Sequence, residues 1–303
     1  MLLDSASLYF RAFYGVPSSV RAPDGTQTNA VRGFLDMIST LIERYGPTEI
    51  VACLDEDWRP TWRVELIPSY KTHRVDQSQE ALVGGAGPGE AEPPGLDHQV
   101  PIMLNALKAV GITAIGAPNY EADDVIATLS EKATGPVDVV TGDRDLFQLI
   151  DDAKPVRVLY TGKGVAKLEI MNNARIQDRY GISAGQYADF AALRGDPSDG
   201  LPGVKGVGDK TAAQLLKTHG TIAQLLQNPP ARLGSAERKV TEAREYLTAA
   251  AQVVRTARDV PLPALTAALP TKIADPAALA ELAERFGLAN VLGRLCKALH
   301  ILE

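Results

Sequence analysis

Cysteine and histidine are scarce in this 303-residue chain, and each shortage removes a class of function. Only Cys53 and Cys296 occur, in the apolar contexts Ala52-Cys53-Leu54 and Leu295-Cys296-Lys297. Two such thiols make neither a disulfide framework nor a zinc site, and suit a reduced, cytoplasmic setting. The four histidines, His73, His98, His219 and His300, show no ligand spacing, so a histidine-based metal site is not expected. No apolar run reaches the roughly 18 residues of a membrane span. Met1-Leu2-Leu3-Asp4 opens no basic stretch followed by a long apolar one, so no secretory signal is expected. An excess of positive charge is also missing. The net charge is −6, which at first argues against nucleic acid.

Carboxylates are plentiful, and their placement is the main signal. Tyr120-Glu121-Ala122-Asp123-Asp124 and Thr141-Gly142-Asp143-Arg144-Asp145 lie close together in sequence. Like charges this near repel and need an offset in the folded state. Acidic residues in a first helical turn are also ordinary partners of the helix dipole, so neither group is decisive alone.

Short β-branched runs separated by amphipathic segments predict buried parallel strands joined by helices. The expected strands are Met1–Asp4, Ile50–Asp55, Gly111–Ile115 and Val137–Asp143. The expected helices are Thr28–Arg44, Pro101–Val110 and Ala122–Lys132, followed by a hairpin of Val156–Tyr160 with Val165–Ile170. The fold class is therefore α/β, a mostly parallel central sheet flanked by helices. Open parallel sheets bind ligands beyond the carboxyl ends of their strands. Asp4, Asp55 and Asp143 each stand at such an end, and Glu121, Asp123 and Asp124 follow the Gly111–Ile115 strand. Four elements thus deliver carboxylates to one edge.

Residues 76–97, rich in glycine, proline and acidic side chains, have no regular period and read as a long loop inside a domain. Before it, Arg59, Arg63, Lys71, His73 and Arg74 alternate with Trp58, Trp62 and Tyr70. This flank is either a solvated surface or a cationic, aromatic gate suited to phosphates and exposed bases.

Further on, Gly195-Asp196-Pro197-Ser198-Asp199-Gly200 leads into Leu201-Pro202-Gly203-Val204-Lys205-Gly206-Val207-Gly208-Asp209-Lys210 and an amphipathic helix. Gly203, Gly206 and Gly208 let backbone amides and a helix N-terminus approach a phosphate. With Lys205, Lys210 and Lys217 beside them, this is the pattern of a helix-hairpin-helix module for a duplex backbone. An ordinary glycine-rich interhelical turn is the alternative. The remaining chain reads as packing helices, Ala277–Phe286 and Leu292–Ile301 among them, interrupted at Pro261-Leu262-Pro263.

Nine carboxylates are candidates: Asp4, Asp55, Glu121, Asp123, Asp124, Asp143, Asp145, Asp196 and Asp199. Hard oxygen donors without histidine or cysteine point to Mg2+ or Mn2+, and they are too many for one ion that keeps most of its waters. Two ions roughly 3.5–4 Å apart suit in-line displacement at phosphorus, one acidifying a water and the other neutralising the leaving oxygen. The charge then makes sense. Of the 37 acidic residues nine are these candidates, and the other 28 face 31 basic residues. The surface left over is mildly cationic and can carry nucleic acid.

These strings resemble the bacterial 5′-nuclease (flap endonuclease) family, whose domain also forms the N-terminal part of DNA polymerase I. They are Leu2-Leu3-Asp4, Tyr120–Asp124, Gly142–Leu149 and the run from Leu193 to Gly208. The resemblance extends to about Pro263. It implies a PIN-like nuclease domain and a first ion held by Asp4, Asp55, Glu121 and Asp123. The implied second ion takes Asp143, Asp145 and Asp196, with Asp124 and Asp199 as outer or additional ligands. It places Arg63 and Lys71 at the scissile phosphate and residues 71–99 in an arch over the 5′ strand. Phe10 and Arg11 would lie near the 5′ base, with Arg74 and the loop Gly203, Lys205, Gly206, Gly208 and Lys210 on the DNA. That loop is a helix-three-turn-helix, in this family a site for a monovalent cation such as K+. Ser5 replaces the family's usual glycine, Phe10 its tyrosine and Gly200 a common asparagine, and the arch carries an insert.

The expected organisation is a catalytic domain over 1–175 and a helical duplex-binding subdomain over 176–303, with the helix-three-turn-helix near 195–220. The expected activity is a metal-dependent 5′-flap endonuclease and 5′→3′ exonuclease in replication and repair. Its substrates would be branched or nicked duplex DNA and RNA/DNA primer junctions. It would act as a free-standing, nucleoid-associated cytoplasmic monomer, with a DNA polymerase or ligase as candidate partners. A non-catalytic structure-specific DNA-binding protein, and a related single-strand or RNA nuclease, are the other readings.

Overall fold

The computed structural model describes residues 1–75 and 93–301. The expected loop over 76–97 falls mostly on 76–92, outside the described residues, as does most of the expected 71–99 arch.

The chain builds a six-stranded sheet in the order β3-β2-β1-β4-β5-β6. The strands are β1 (Leu2–Asp4), β2 (Val51–Cys53), β3 (Thr113–Ile115), β4 (Val137–Thr141), β5 (Val156–Tyr160) and β6 (Glu169–Met171). All neighbours pair parallel except β5 and β6, which run antiparallel. β1 and β2 are buried along their whole length, as a sheet covered on both faces requires. β1 pairs with β2 on one side and β4 on the other, so the strand order reverses around it. A crevice opens beyond the carboxyl ends of strands at such a reversal.

On one face lie α1 (Ser5–Gly15), α2 (Asn29–Tyr45) and α4 (Gln99–Val110), while α3 (Thr61–Leu66) packs on the opposite face through Leu66 and the following Ile67. The α2 helix buries Phe34, Leu35, Ile38, Leu41 and Ile42 and ends at Gly46 in the left-handed conformation, φ 54°. α5 (Ala122–Lys132) buries Val125, Ile126 and Ala127 on the other face, against a second core that continues into the C-terminal helices. Those are α6 (Asn173–Tyr180), α7 (Tyr187–Arg194), α8 (Asp209–His219), α9 (Ile222–Gln227), α10 (Ser235–Glu242) and α11 (Arg244–Val254). α12 (Pro276–Arg285) and α13 (Ala289–Ala298) return to the first core, where Leu292 and Leu295 join the cluster of α2 residues. No helix among the described residues is long and apolar enough to cross a membrane.

The hairpin differs from expectation in its second strand. Gly164, at φ 89°, turns the chain into a 3-10 turn over Val165–Lys167, and pairing resumes only at Glu169 opposite Tyr160. Val165 is apolar because it is buried in that turn, not because it belongs to a strand.

Candidate active site

Asp4 ends β1 and caps α1 in the same residue. Its Oδ1 accepts from the Ser7 amide at 3.0 Å and its Oδ2 from the Thr141 hydroxyl at 2.6 Å. Thr141 in turn accepts from the Asp143 amide at 2.8 Å, so the ends of β1 and β4 are joined by one hydroxyl. Asp55 follows β2 and accepts from the Ala122 amide at 2.7 Å, at the start of α5. Glu121 and Asp123 flank that start. Asp143 accepts from the Asp145 amide at 2.9 Å. Asp196 opens the turn after α7 and is bonded by the Ser198 amide and hydroxyl.

Asp4, Asp55, Glu121, Asp123, Asp143 and Asp196 line one cleft of about 390 Å³, together with Phe10, Trp58, Lys71, Arg74, Arg144 and Tyr160. A larger hollow of about 770 Å³ opens at the opposite edge, by Met1, Thr48 and Pro155. Its Asp138 is already paired with Arg157, and no set of carboxylates converges there. Charge, not size, marks the site.

The electrostatics are those of crowded, desolvated anions. Burial, helped by Asp55 and Asp143, pushes Asp4 up to about 7 despite its two hydrogen bonds. Burial likewise pushes Glu121 up to about 7 against the opposing pull of Lys71 and Arg63. Asp123 is raised well above the carboxylate range by burial, then by Asp143 and Asp4. Asp145 is raised well above it by burial, then by Asp143 and Asp199. Asp199 is raised by burial, with Lys71 working against the shift.

The donor set suits hard divalent ions: oxygen alone, in anions that repel one another. Asp145 Oδ1 is buried with no hydrogen-bond partner, a further sign of an oxygen meant for a cation. Among the described residues no three acidic, histidine or cysteine side chains already gather about one point in ligand geometry. The partners explain this. Lys71 holds Glu121 at 3.0 Å, Arg74 holds Asp199 at 3.3 Å, and Arg194 stands 3.4 Å from Asp196. An ion that keeps several waters fits so open a cluster.

The root of the expected arch is fastened to the second carboxylate turn. The Lys71 amide donates to the Asp199 carbonyl at 3.0 Å, and Ser69 Oγ to the Gly200 carbonyl at 3.0 Å. Gly200 sits at φ 71°, and a Cβ there would lie 2.3 Å from the Ser69 carbonyl oxygen. That contact gives the departure from asparagine a steric reason. Lys71 itself is left-handed, φ 49°. Burial opposes its charge, but Glu121, Tyr70 and Asp199 outweigh burial and hold its pKa well above the ordinary lysine value.

Two expectations are overturned in geometry. Arg63 does not face the cleft. It is buried, donating through Nη1 and Nη2 to Asp124 at 2.8 and 2.7 Å. Asp124 is fully buried and also accepts from the amides of Glu121 and Ala257. Its oxygens are occupied by donors, so it is not placed as a metal ligand, and Arg63 is not placed at a phosphate. Arg11 stays at the site's edge beside Gly142, its buried Nε without a partner.

The loop Gly203–Lys210 lies outside the cleft. Lys205, Gly206, Gly208 and Lys210 are exposed, and Val204 and Val207 anchor it. Gly203 (φ 68°) crosses Gly195 so closely that a Cβ on either would stand 2.5–2.7 Å from backbone atoms of the other segment. Asp196 and Leu201 exchange backbone hydrogen bonds at 2.9 and 2.8 Å.

Sequence reasoning missed Thr141, Ser7 and Ser198 as supports of Asp4, Gly142 and Asp196. Only Ser198, two positions after Asp196, carried a local signal, since Thr141 and Ser7 reach their partners from distant parts of the chain. It also left Arg144 and Tyr160 out of the cleft lining.

This architecture has relatives. Residues 1–181 match the model of the 5′-3′ exonuclease N-terminal resolvase-like domain, and residues 182–277 that of the 5′-3′ exonuclease C-terminal SAM fold. The chain belongs to the 5′-3′ exonuclease family. A 5′-3′ exonuclease of Streptomyces coelicolor is 55% identical, over 99% of both chains. One of Mycobacterium tuberculosis is 48% identical over 100% of this chain and 98% of its own. DNA polymerase I of Mycobacterium tuberculosis is 40% identical over 86% of this chain and 27% of its own length. The fold is shared with T5 5′-exonuclease, solved with bound divalent metal ions (TM-score 0.63, 17% identity, 99% of this chain and 97% of that one). It is shared too with flap endonuclease-1 of Methanococcus jannaschii (TM-score 0.62, 16% identity, 99% and 92%).

Proposed function

We propose that the protein is a structure-specific 5′-nuclease, hydrolysing phosphodiesters of DNA at 5′ flaps and 5′ ends and of RNA primers at their junctions. The observation that carries this reading is the convergence of carboxylates from the ends of β1, β2, β4 and the start of α5 on a cleft that Lys71, Arg74 and Arg144 also line. Asp4, Asp55, Glu121 and Asp123 would hold one Mg2+ or Mn2+ ion, and Asp143, Asp145 and Asp196 a second, with Asp199 beside it. Such ions polarise the phosphate and acidify water for in-line displacement.

The chain's own residues do the rest. Thr141 and Ser7 fix the Asp4 oxygens, so that carboxylate needs no reorganisation on loading. Lys71 and Arg74 neutralise Glu121 and Asp199, and stand where a phosphate between the carboxylates would meet them. Arg11 offers a guanidinium to the same anion. Phe10 presents a ring for a base next to the scissile bond. Lys205 and Lys210, with the α8 N-terminus, grip a duplex phosphate, and the loop's carbonyls are the proposed K+ site, for which the Lys239 ammonium, 3.3 Å from the Gly206 carbonyl, is a competitor.

Cleavage of a labelled 5′-flap substrate tests the reading. Asp143→Ala with Asp145→Ala should abolish hydrolysis while leaving DNA affinity in EDTA unchanged. Undiminished cleavage would overturn it. A non-catalytic DNA-binding protein would show no cleavage in the wild type either.

A further inference from the structure

We propose that Arg63 and Asp124 form a single buried positioning unit, which sets Glu121 against the C-terminal helices and touches neither nucleic acid nor ion. The proposal rests on the nuclease reading of the cleft for its function, but its geometry stands apart.

Asp124 lies in the first turn of α5, fully buried. Its Oδ1 accepts from Arg63 Nη2 at 2.7 Å and from the Ala257 amide at 2.7 Å. Its Oδ2 accepts from Arg63 Nη1 at 2.8 Å and from the Glu121 amide at 3.2 Å. A carboxylate has about four lone-pair sites, and all of these are taken. Arg63 is held on each of its three nitrogens. Its Nε donates to the Val253 carbonyl at 3.0 Å, its plane lies over the Trp62 ring at 4.4 Å, and Nη1 stands 3.7 Å from Glu121 Oε2.

Three stretches therefore meet at one fork: α3, which leads to Lys71, the N-terminus of α5, which carries Glu121, and the end of α11, which belongs to the duplex-side helices. The pair fixes the Glu121 backbone through Asp124 and biases its carboxylate through Arg63. A bidentate fork is rigid in plane as well as distance, which suits a part that must hold an angle. Outer partners of this kind change metal affinity by about 10–100-fold when removed.

The test is a double-mutant cycle read by Mn2+ binding without DNA, followed by electron paramagnetic resonance, and by flap-DNA affinity in EDTA. Asp124→Asn, Arg63→Gln and the double variant should each weaken Mn2+ about tenfold, with the double no worse than the poorer single within about threefold. Flap-DNA affinity should stay within about twofold of wild type. Several outcomes overturn the proposal. Losses that multiply would mean independent roles. Mn2+ binding lost in Asp124→Asn but intact in Arg63→Gln would make Asp124 a ligand. DNA affinity lost in Arg63→Gln alone would make Arg63 a phosphate contact. A lowered Tm with unchanged Mn2+ affinity would reduce the pair to fold stability. If a variant loses its circular-dichroism signature, Arg63→Lys, which keeps the charge and loses the fork, must still weaken Mn2+, and unchanged affinity there overturns the proposal. A wild type that binds Mn2+ but cuts no flap would fault the nuclease reading and leave this cycle readable.

Discussion

The Lys71 ammonium, half-buried at the cleft, stands 3.0 Å from the buried Glu121 carboxylate. A cation so placed screens the acidic cluster and faces any phosphate brought to it. Lys71→Met should lower single-turnover flap cleavage by about 10²–10³-fold, the usual cost of losing one charge-stabilising donor. Rapid-quench kinetics at saturating Mg2+ checks this, and a loss under about threefold would remove Lys71 from the machinery.

The raised carboxylates make stability depend on pH. Asp4 and Glu121 are held up to about 7, against about 4 in an unfolded chain. A folded pKa above the unfolded value means the native state binds more protons between the two. The stability these groups contribute is full below about pH 4 and is lost as pH rises through 7. In EDTA, Tm should fall between pH 5 and pH 8. With Mg2+ the fall should vanish, because the ion binds the deprotonated oxygens. Differential scanning fluorimetry in both buffers decides, and matching curves with and without Mg2+ would sink the idea.

Gly200 is required by contact as well as by φ. Gly200→Ala should cost at least about 1–3 kcal/mol, since a Cβ would meet the Ser69 carbonyl in a left-handed backbone. Because Lys71 hangs from the Asp199 carbonyl, kcat should fall with Tm. A stable, fully active Gly200→Ala protein would show that the turn is free to move.

Lys205 and Lys210 are exposed on the glycine loop. Replacing each by alanine should reduce the slope of log Kd against log salt by about 1 for duplex-containing substrates. The single-turnover rate at saturation should not change. Anisotropy titrations over a salt series supply the slope, and an unchanged slope would take these lysines off the phosphates.

The sheet and its acidic edge were legible because they depend on local pattern. Leu2-Leu3-Asp4 and Val137–Thr141 are short apolar runs with a polar stop, and Ala122–Lys132 matched the expected helix bounds. The cleft lining kept six of the nine carboxylates. Arg63 and Asp124 misled because burial is not written in a residue's type. An arginine in a basic flank looks like its neighbours until its partner, 61 positions away, is known. The 3-10 turn at Val165 was hidden for the same reason: an apolar residue under a loop looks like strand. Thr141 and Ser198 were missed because a hydroxyl beside an aspartate is common and acquires meaning only from the angle the fold gives it.

The crossing of Gly195 and Gly203 welds the turn that carries Asp196 to the loop proposed to meet the duplex. The interval between grip and blade is thereby written in main-chain atoms. It works as a caliper whose jaws cannot slide. On this proposal, side-chain changes in the loop should alter how often the tool closes and leave the nucleotide at which it cuts the same.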